Sequence, residues 1–203
     1  MGRVLSVLKK EYPDARCSLI YKTPYQLLVA TVLSAQCTDE RVNRVTPDLF
    51  KKYETPAKMA QAKASEIETF IRSTGFFRSK AKSILELSQA LVRDHNGEVP
   101  RNRDQLTAMR GVGRKTANVV LGVAFREPAL VVDTHVGRLS RRMGFTREKD
   151  PVKVETKMME IVPESDWTIY AHLLIDHGRK ICTSRRAHCD ACPVAQECPR
   201  IGI

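Results

Sequence analysis

Apolar residues recur along this chain at helical spacing, and nowhere do they alternate cleanly as a strand over more than a few residues. The pattern predicts an all-α protein. Thr23 followed by Pro24 offers an N-cap and a first-turn proline to a helix over YQLLVATVLSAQ, residues 25–36, whose apolar positions run almost right round it and so predict burial. Thr38, with Asp39 and Glu40 at the positive end, opens a second helix. Pro56 opens a short third, and Ser65 with Glu68 predicts a capping box for a fourth. Gly75 interrupts the pattern before FFRSKAKSILELSQALVRDH, residues 76–95, a long amphipathic helix ending near Asn96-Gly97. After the polar loop GEVPRNRD come a short helix, DQLTAM (104–109), a tight RGVG turn and a second helix, RKTANVVLGVAF (114–125). Two more helices are bounded by Asp133 and by Asp150-Pro151, and the last runs from Asp166 to about Lys180. With no internal repeat or low-complexity linker, any domain division rests on packing.

Charge changes this picture. The 203 residues are 42% hydrophobic and 28% charged, enough for one large domain or two small ones, yet the formal net charge is +11 and the pI about 9.6. Such a surplus points to a polyanionic partner, with nucleic acid first because each neutralised phosphate releases counterions. A merely solvated basic surface is the alternative, since no single basic block stands out. No run of 18 apolar residues occurs, and the N-terminus MGRVLSVLKKEYPDARC is too polar for a signal peptide. The expectation is an intracellular, cytoplasmic chain with no membrane partner and no targeting segment.

Four cysteines, Cys182, Cys189, Cys192 and Cys198, crowd into the last 22 residues in the spacing C-x6-C-x2-C-x5-C. A tail this short cannot fold on a hydrophobic core of its own, so an inorganic centre would stabilise it. Only Cys189 and Cys192 form a C-x2-C knuckle, which disfavours a zinc ribbon built on two. A [4Fe-4S] cube accepts the unequal loops, because each iron takes one thiolate at its own corner. Zinc, disulfides or unligated thiols are the alternatives. Cys17 and Cys37 lie apart and read as small buried apolar residues.

In LTAMRGVGRKTANVVLGVAF, Gly111 and Gly113 flank one apolar residue at the turn between two helices. Glycine bares the backbone N–H groups and permits positive φ, so a phosphate oxygen can sit against the start of the second helix. A plain αα-turn is the alternative for any lone GxG. Lys115 falls in the first turn of that helix beside Arg114, where the dipole and a like charge disfavour the ammonium form and burial would add to the effect. It is a candidate nucleophilic amine, against phosphate contact or plain solvation. Asp133 reads as a helix N-cap whose ionised carboxylate could also stabilise a cation or shuttle protons. His135 reads as structural or phosphate-contacting.

Taken together, LSAQCTDERVN, GVGRKTANVV, VVDTHVGRLSRRMGF and the four-cysteine tail resemble the endonuclease III family of helix-hairpin-helix DNA glycosylases and AP lyases, over nearly the whole chain and in the right order. The resemblance implies two α-helical lobes, one of residues 18–127 carrying the hairpin and the other of 1–17 with 128–203 and the iron–sulfur loop, and a DNA cleft between them. It implies a monomer acting on damaged double-stranded DNA in a bacterial or archaeal nucleoid. Lys115 and Asp133 fall on the family's catalytic positions: the lysine would form a Schiff base with the sugar and drive β-elimination, and oxidised pyrimidines would be the substrates. Gln36 and Phe76 would fill the hole left by the extruded nucleotide; capping a helix end and core packing are their respective alternatives. Arg185 and Arg186, between the first two cluster cysteines, would touch phosphates from a loop that the cluster holds still. One departure is Met109-Arg110, where relatives carry Leu-Pro. The turn loses a preset φ, and Arg110 either reaches a phosphate instead or leaves the grip weaker.

Two rivals remain from the sequence. A monofunctional mismatch or adenine glycosylase would use water in place of Lys115, and a non-catalytic iron–sulfur DNA-binding or redox-sensing module would need neither Lys115 nor Asp133.

Overall fold

A computed structural model describes all residues, Met1 to Ile203. Its α-helices are α1 (Gly2–Glu11), α2 (Pro24–Leu33), α3 (Asp39–Lys52), α4 (Pro56–Ala60), α5 (Ala64–Ile71), α6 (Phe77–His95), α7 (Arg103–Thr107), α8 (Arg114–Val119), α9 (Thr134–Arg142), α10 (Pro151–Ile161) and α11 (Trp167–Lys180). There is no strand, only an isolated bridge between Cys182 and Ala187. The protein is thus all-α, and none of its helices is long and apolar enough to cross a membrane. Backbone contacts group the chain into two compact units, Ser18–Arg126 and Met1–Cys17 with Glu127–Ile203.

Within residues 18–126, α6 packs against α4 and α5, while α2 lies against α3, α6 and α8. The segment PYQLLVATVL has no charged side chain to require a wet face, so nearly all of α2 is buried. Full burial of each of its leucines stabilises by about 1.5–3 kcal/mol. Ile84, Leu87 and Leu91 of α6 meet Met59 and Ile67 in the same core, all fully buried. The Thr23 hydroxyl accepts from Gln26 N at 3.2 Å and fixes where α2 begins.

Within the second unit, α11 packs on α1 and α9, and α10 on α9. Leu8, Val136, Leu139, Met158, Leu173 and Leu174 are fully buried. Tyr170, also buried, places its hydroxyl 3.1 Å from Ser140 Oγ and so brings no unpaired polar atom into the core. Helix α1, absent from the sequence expectation, turns Val4, Leu5 and Leu8 inward, and Lys9 Nζ pairs with Asp166 at 2.6 Å.

Several expectations need correction. Helix α2 stops at Leu33, capped by Ser34, and Gln36 lies beyond it at φ 53°. The Ser65–Glu68 box does not form: α5 starts at Ala64 after an extended Lys63, so Ser65 is already inside the first turn and cannot be its cap. The helix expected from Asp104 starts at Arg103, because Asn102 Oδ1 accepts from Gln105 N at 3.0 Å. After Val119 the hydrogen-bonding widens into a π-turn, Val120–Ala124. Cys17 and Cys37 are half-buried rather than buried.

Candidate functional site

Helices α7 and α8 form the expected hairpin. Val112 turns inward at 5% exposure and anchors the loop, with Met109 buried beside it. The two glycines do different work. Gly111 has φ +79°, and a Cβ there would lie 2.7 Å from Ser83 Cβ on α6, so both backbone conformation and close packing demand glycine. Gly113, the N-cap of α8, has φ −90° and nothing within 4 Å of where its Cβ would be. Nothing inside the protein explains that glycine, while its bareness leaves the uncapped start of α8 open to an approaching group. Lys115, in the first turn of α8, is exposed; the expected burial is absent because this turn faces outward from the packed side held by Ala117 and Asn118. Arg110 and Arg114 are exposed, and Arg110 Nη1 sits 3.5 Å from Glu86 on α6.

Two further loops meet the hairpin. Gln36, Phe76 and Gly111 line one cavity of about 240 Å³ with Lys80 and Ser83. Gln36 and Phe76 are both exposed and both left-handed, at φ 53° and 48°, a conformation that costs a non-glycine residue about 1–2 kcal/mol. Phe76, at 67% exposure, is not core, and with α2 capped by Ser34, Gln36 is not a helix cap. Each bland alternative therefore fails. Both residues therefore present exposed side chains to one cavity from a strained backbone.

Asp133 caps α9, its Oδ1 accepting from Val136 N at 2.8 Å, and is half-buried. His135 is half-buried next to it. Burial holds its pKa below the ordinary value against the opposing pull of Asp133, and Arg138 Nη2 lies 3.2 Å from its Nδ1. Arg138 continues to the carbonyls of Gly178 and Cys182, at 3.2 and 2.9 Å. Gly178 must be glycine, because a Cβ there would stand 2.6 Å from the His135 ring. Sequence reasoning missed Arg138, Gly178 and Arg142. Arg142 Nη1 donates to Thr183 O at 2.7 Å and lies 3.4 Å from Cys182 Sγ. Arg138 and Arg142 sit one helical turn apart on α9, a repeat that could have flagged them.

Cys182, Cys189, Cys192 and Cys198 line one small, mostly apolar cavity, and no disulfide joins any cysteine. Burial, then the neighbouring sulfurs, push the Cys192 and Cys198 thiols up. No three His, Cys, Asp or Glu side chains gather as the ligands of a single ion. His177, fully buried, reaches Cys192 Sγ with Nε2 at 3.5 Å and Tyr12 Oη with Nδ1 at 2.9 Å; burial brings its pKa down to about 4. In the loop between the first two cysteines, Thr183 Oγ1 accepts from Arg186 N and donates to Arg186 O, which closes a tight turn and leaves Arg185 and Arg186 exposed.

The profile of the HhH-GPD superfamily base excision DNA repair proteins matches residues 29–164. An endonuclease III from Synechocystis sp. is 50% identical over 197 residues, 97% of this chain and 90% of that protein. Two solved structures, a non-covalent endonuclease III–DNA complex and a trapped endonuclease III–DNA covalent intermediate, each share a TM-score of 0.93 and 46% identity over 98% of this chain and 94% of theirs. The chain belongs to the endonuclease III family within that superfamily, and is a base excision repair enzyme with DNA glycosylase and AP lyase activity.

Proposed function

We propose that this enzyme excises oxidised, ring-saturated pyrimidines from damaged double-stranded DNA and then cuts the strand, with Lys115 as its nucleophile. The observation that carries this is an exposed amine in the first turn of α8, behind an uncapped glycine start, in a chain whose relative has been trapped covalently on DNA. Nζ attacks C1′ of the damaged nucleotide, the bond from C1′ to the base breaks, and the base leaves with the electron pair and takes up a proton. The nitrogen gives up one proton, its lone pair expels O4′ so that the sugar ring opens and O4′ takes up a proton, and from the resulting C1′–nitrogen iminium loss of a C2′ proton expels the 3′-phosphate. Asp133 assists through its negative charge and by moving protons. Ring saturation removes stacking, so such nucleotides cost least to extrude.

Around this chemistry, Gln36 and Phe76 fill the vacated stack, while the hairpin glycines with Arg110, Arg114 and His135, and the loop arginines Arg185 and Arg186, hold phosphates. The four cysteines line one shared cavity across unequal loops and fit a [4Fe-4S] cluster, which takes one thiolate at each iron. When bound, that cluster supplies cross-links that order the tail. The enzyme works as a monomer inside the cell, on the nucleoid. A duplex carrying a single oxidised pyrimidine tests the assignment: the wild type releases the base and nicks the strand, and Lys115→Ala does neither. Base release with an intact strand in both proteins would support the monofunctional reading instead.

A further inference from the structure

Lys80 is a lysine almost without solvent, at 6% exposure, and the chemistry above does not use it. Its Nζ donates to Leu33 O at 2.9 Å and to Thr74 O at 2.8 Å. Its own backbone N–H donates to Phe76 O at 3.0 Å. Each acceptor sits at a seam. Leu33 is the last residue of α2, whose final carbonyls have no partner within the helix and form the negative end of its dipole. Thr74 ends the short 3-10 turn before Gly75. Gln36 follows Leu33 by three residues and Phe76 follows Thr74 by two, and both are left-handed.

Resting on the reading of Gln36 and Phe76 as the side chains that fill the vacated stack, the geometry points to Lys80 as the positioning residue that locks their two loops at a set spacing before DNA arrives. An ammonium suits this task for a physical reason. It is a point charge with three donors, so it can bind carbonyls from two unrelated directions at once, and the cost of burying it is offset only while both are in place. An apolar residue of the same length would fill the volume but leave two buried carbonyls unpaired, and the loops would be free to separate. The Lys80 side chain also borders the cavity shared by Gln36, Phe76 and Gly111, so it ties the two displacing loops to the wall on which the hairpin rests. Ordering the loops in advance removes an entropic cost from the step in which a base is pushed out of the stack.

The test uses purified, cluster-loaded protein and a duplex with 2-aminopurine opposite a tetrahydrofuran abasic analogue, whose fluorescence reports the loss of stacking when a side chain enters. Gln36→Ala and Phe76→Ala are measured first. If both keep the wild-type fluorescence change, these residues do not fill the stack, and the proposal for Lys80 goes with that reading. If they lose it, Lys80→Met decides. The expected result is a fluorescence change cut to a small fraction of wild type, with duplex lesion cleavage slowed roughly tenfold or more beyond any slowing on single-stranded abasic DNA, which has no stack to fill. A wild-type fluorescence change in Lys80→Met, or equal slowing on duplex and single strand, overturns the proposal. Should Lys80→Met not fold, Lys80→Gln, with one short amide for two acceptors, is read by the same outcomes.

Discussion

Ser83 occupies the space that a side chain on Gly111 would need: an added Cβ would meet Ser83 Cβ at 2.7 Å and Oγ at 2.9 Å. Two residues on, Gly113 has open space at the equivalent point. The two glycines should therefore separate in experiment. Gly111→Ala combines overpacking with a left-handed backbone and should cost about 2–4 kcal/mol in urea unfolding. Gly113→Ala should cost only about 0.5 kcal/mol, as a poorer N-cap. Its effect belongs in binding, where losing one or two phosphate contacts should weaken DNA affinity by roughly tenfold in a titration at fixed salt. Equal effects of the two changes on stability would contradict the division of roles.

Asp133 has a structural task, accepting from Val136 N, as well as its proposed chemical one. Asparagine caps a helix as well as aspartate does but carries no charge. Asp133→Asn should melt close to wild type while base release slows by roughly a hundredfold or more, and Asp133→Ala should add a stability loss of about 1 kcal/mol. Wild-type turnover in Asp133→Asn would reduce this residue to a cap.

The cysteine tail is latched by Arg142, which touches Thr183 O and lies beside Cys182 Sγ. Arg142→Ala should shed the proposed cluster faster, read as quicker loss of the broad absorbance near ~400 nm under a chelator. Stripping the cluster completely should open residues 182–203 to protease. A tail equally resistant with and without iron would mean that the metal does not order it.

Burial holds the imidazoles of His135 and His172 below the ordinary value of 6.5. Folding therefore favours their neutral forms, and in acid the unfolded chain binds more protons. Their contribution to stability is complete above about pH 6.5 and declines as the pH falls below it toward the folded values. The urea midpoint should be lower at pH 5.5 than at pH 7.5, and His172→Gln should narrow the gap. A midpoint independent of pH in that range would remove both groups from the account.

Much of the fold was legible because its signals are local. Thr23-Pro24, Thr38 and Asp150-Pro151 each mark a helix start with a cap or proline that acts on its own backbone, and the structure puts helices there. Ser65 failed for the same local reason: the cap position fell earlier, at Lys63, and a serine inside the first turn caps nothing. The hairpin glycines were visible as a pair, but that one serves packing and the other exposure depends on Ser83, 28 positions before Gly111. Lys80 was invisible for a related reason. It lies in an amphipathic helix among other basic residues, and only the carbonyls of Leu33 and Thr74 distinguish it. Burial would favour a nucleophilic amine at Lys115, yet the residue is exposed, as suits a first turn proposed to receive a DNA strand.

The central claim is that Lys115 bonds covalently to the sugar it acts on. Borohydride added during reaction with abasic-site DNA, followed by digestion and mass spectrometry, should give one protein–DNA adduct on the peptide containing Lys115 and none in Lys115→Ala. An adduct of wild-type yield in Lys115→Ala, or one mapping to another lysine or to the N-terminus, would contradict the mechanism.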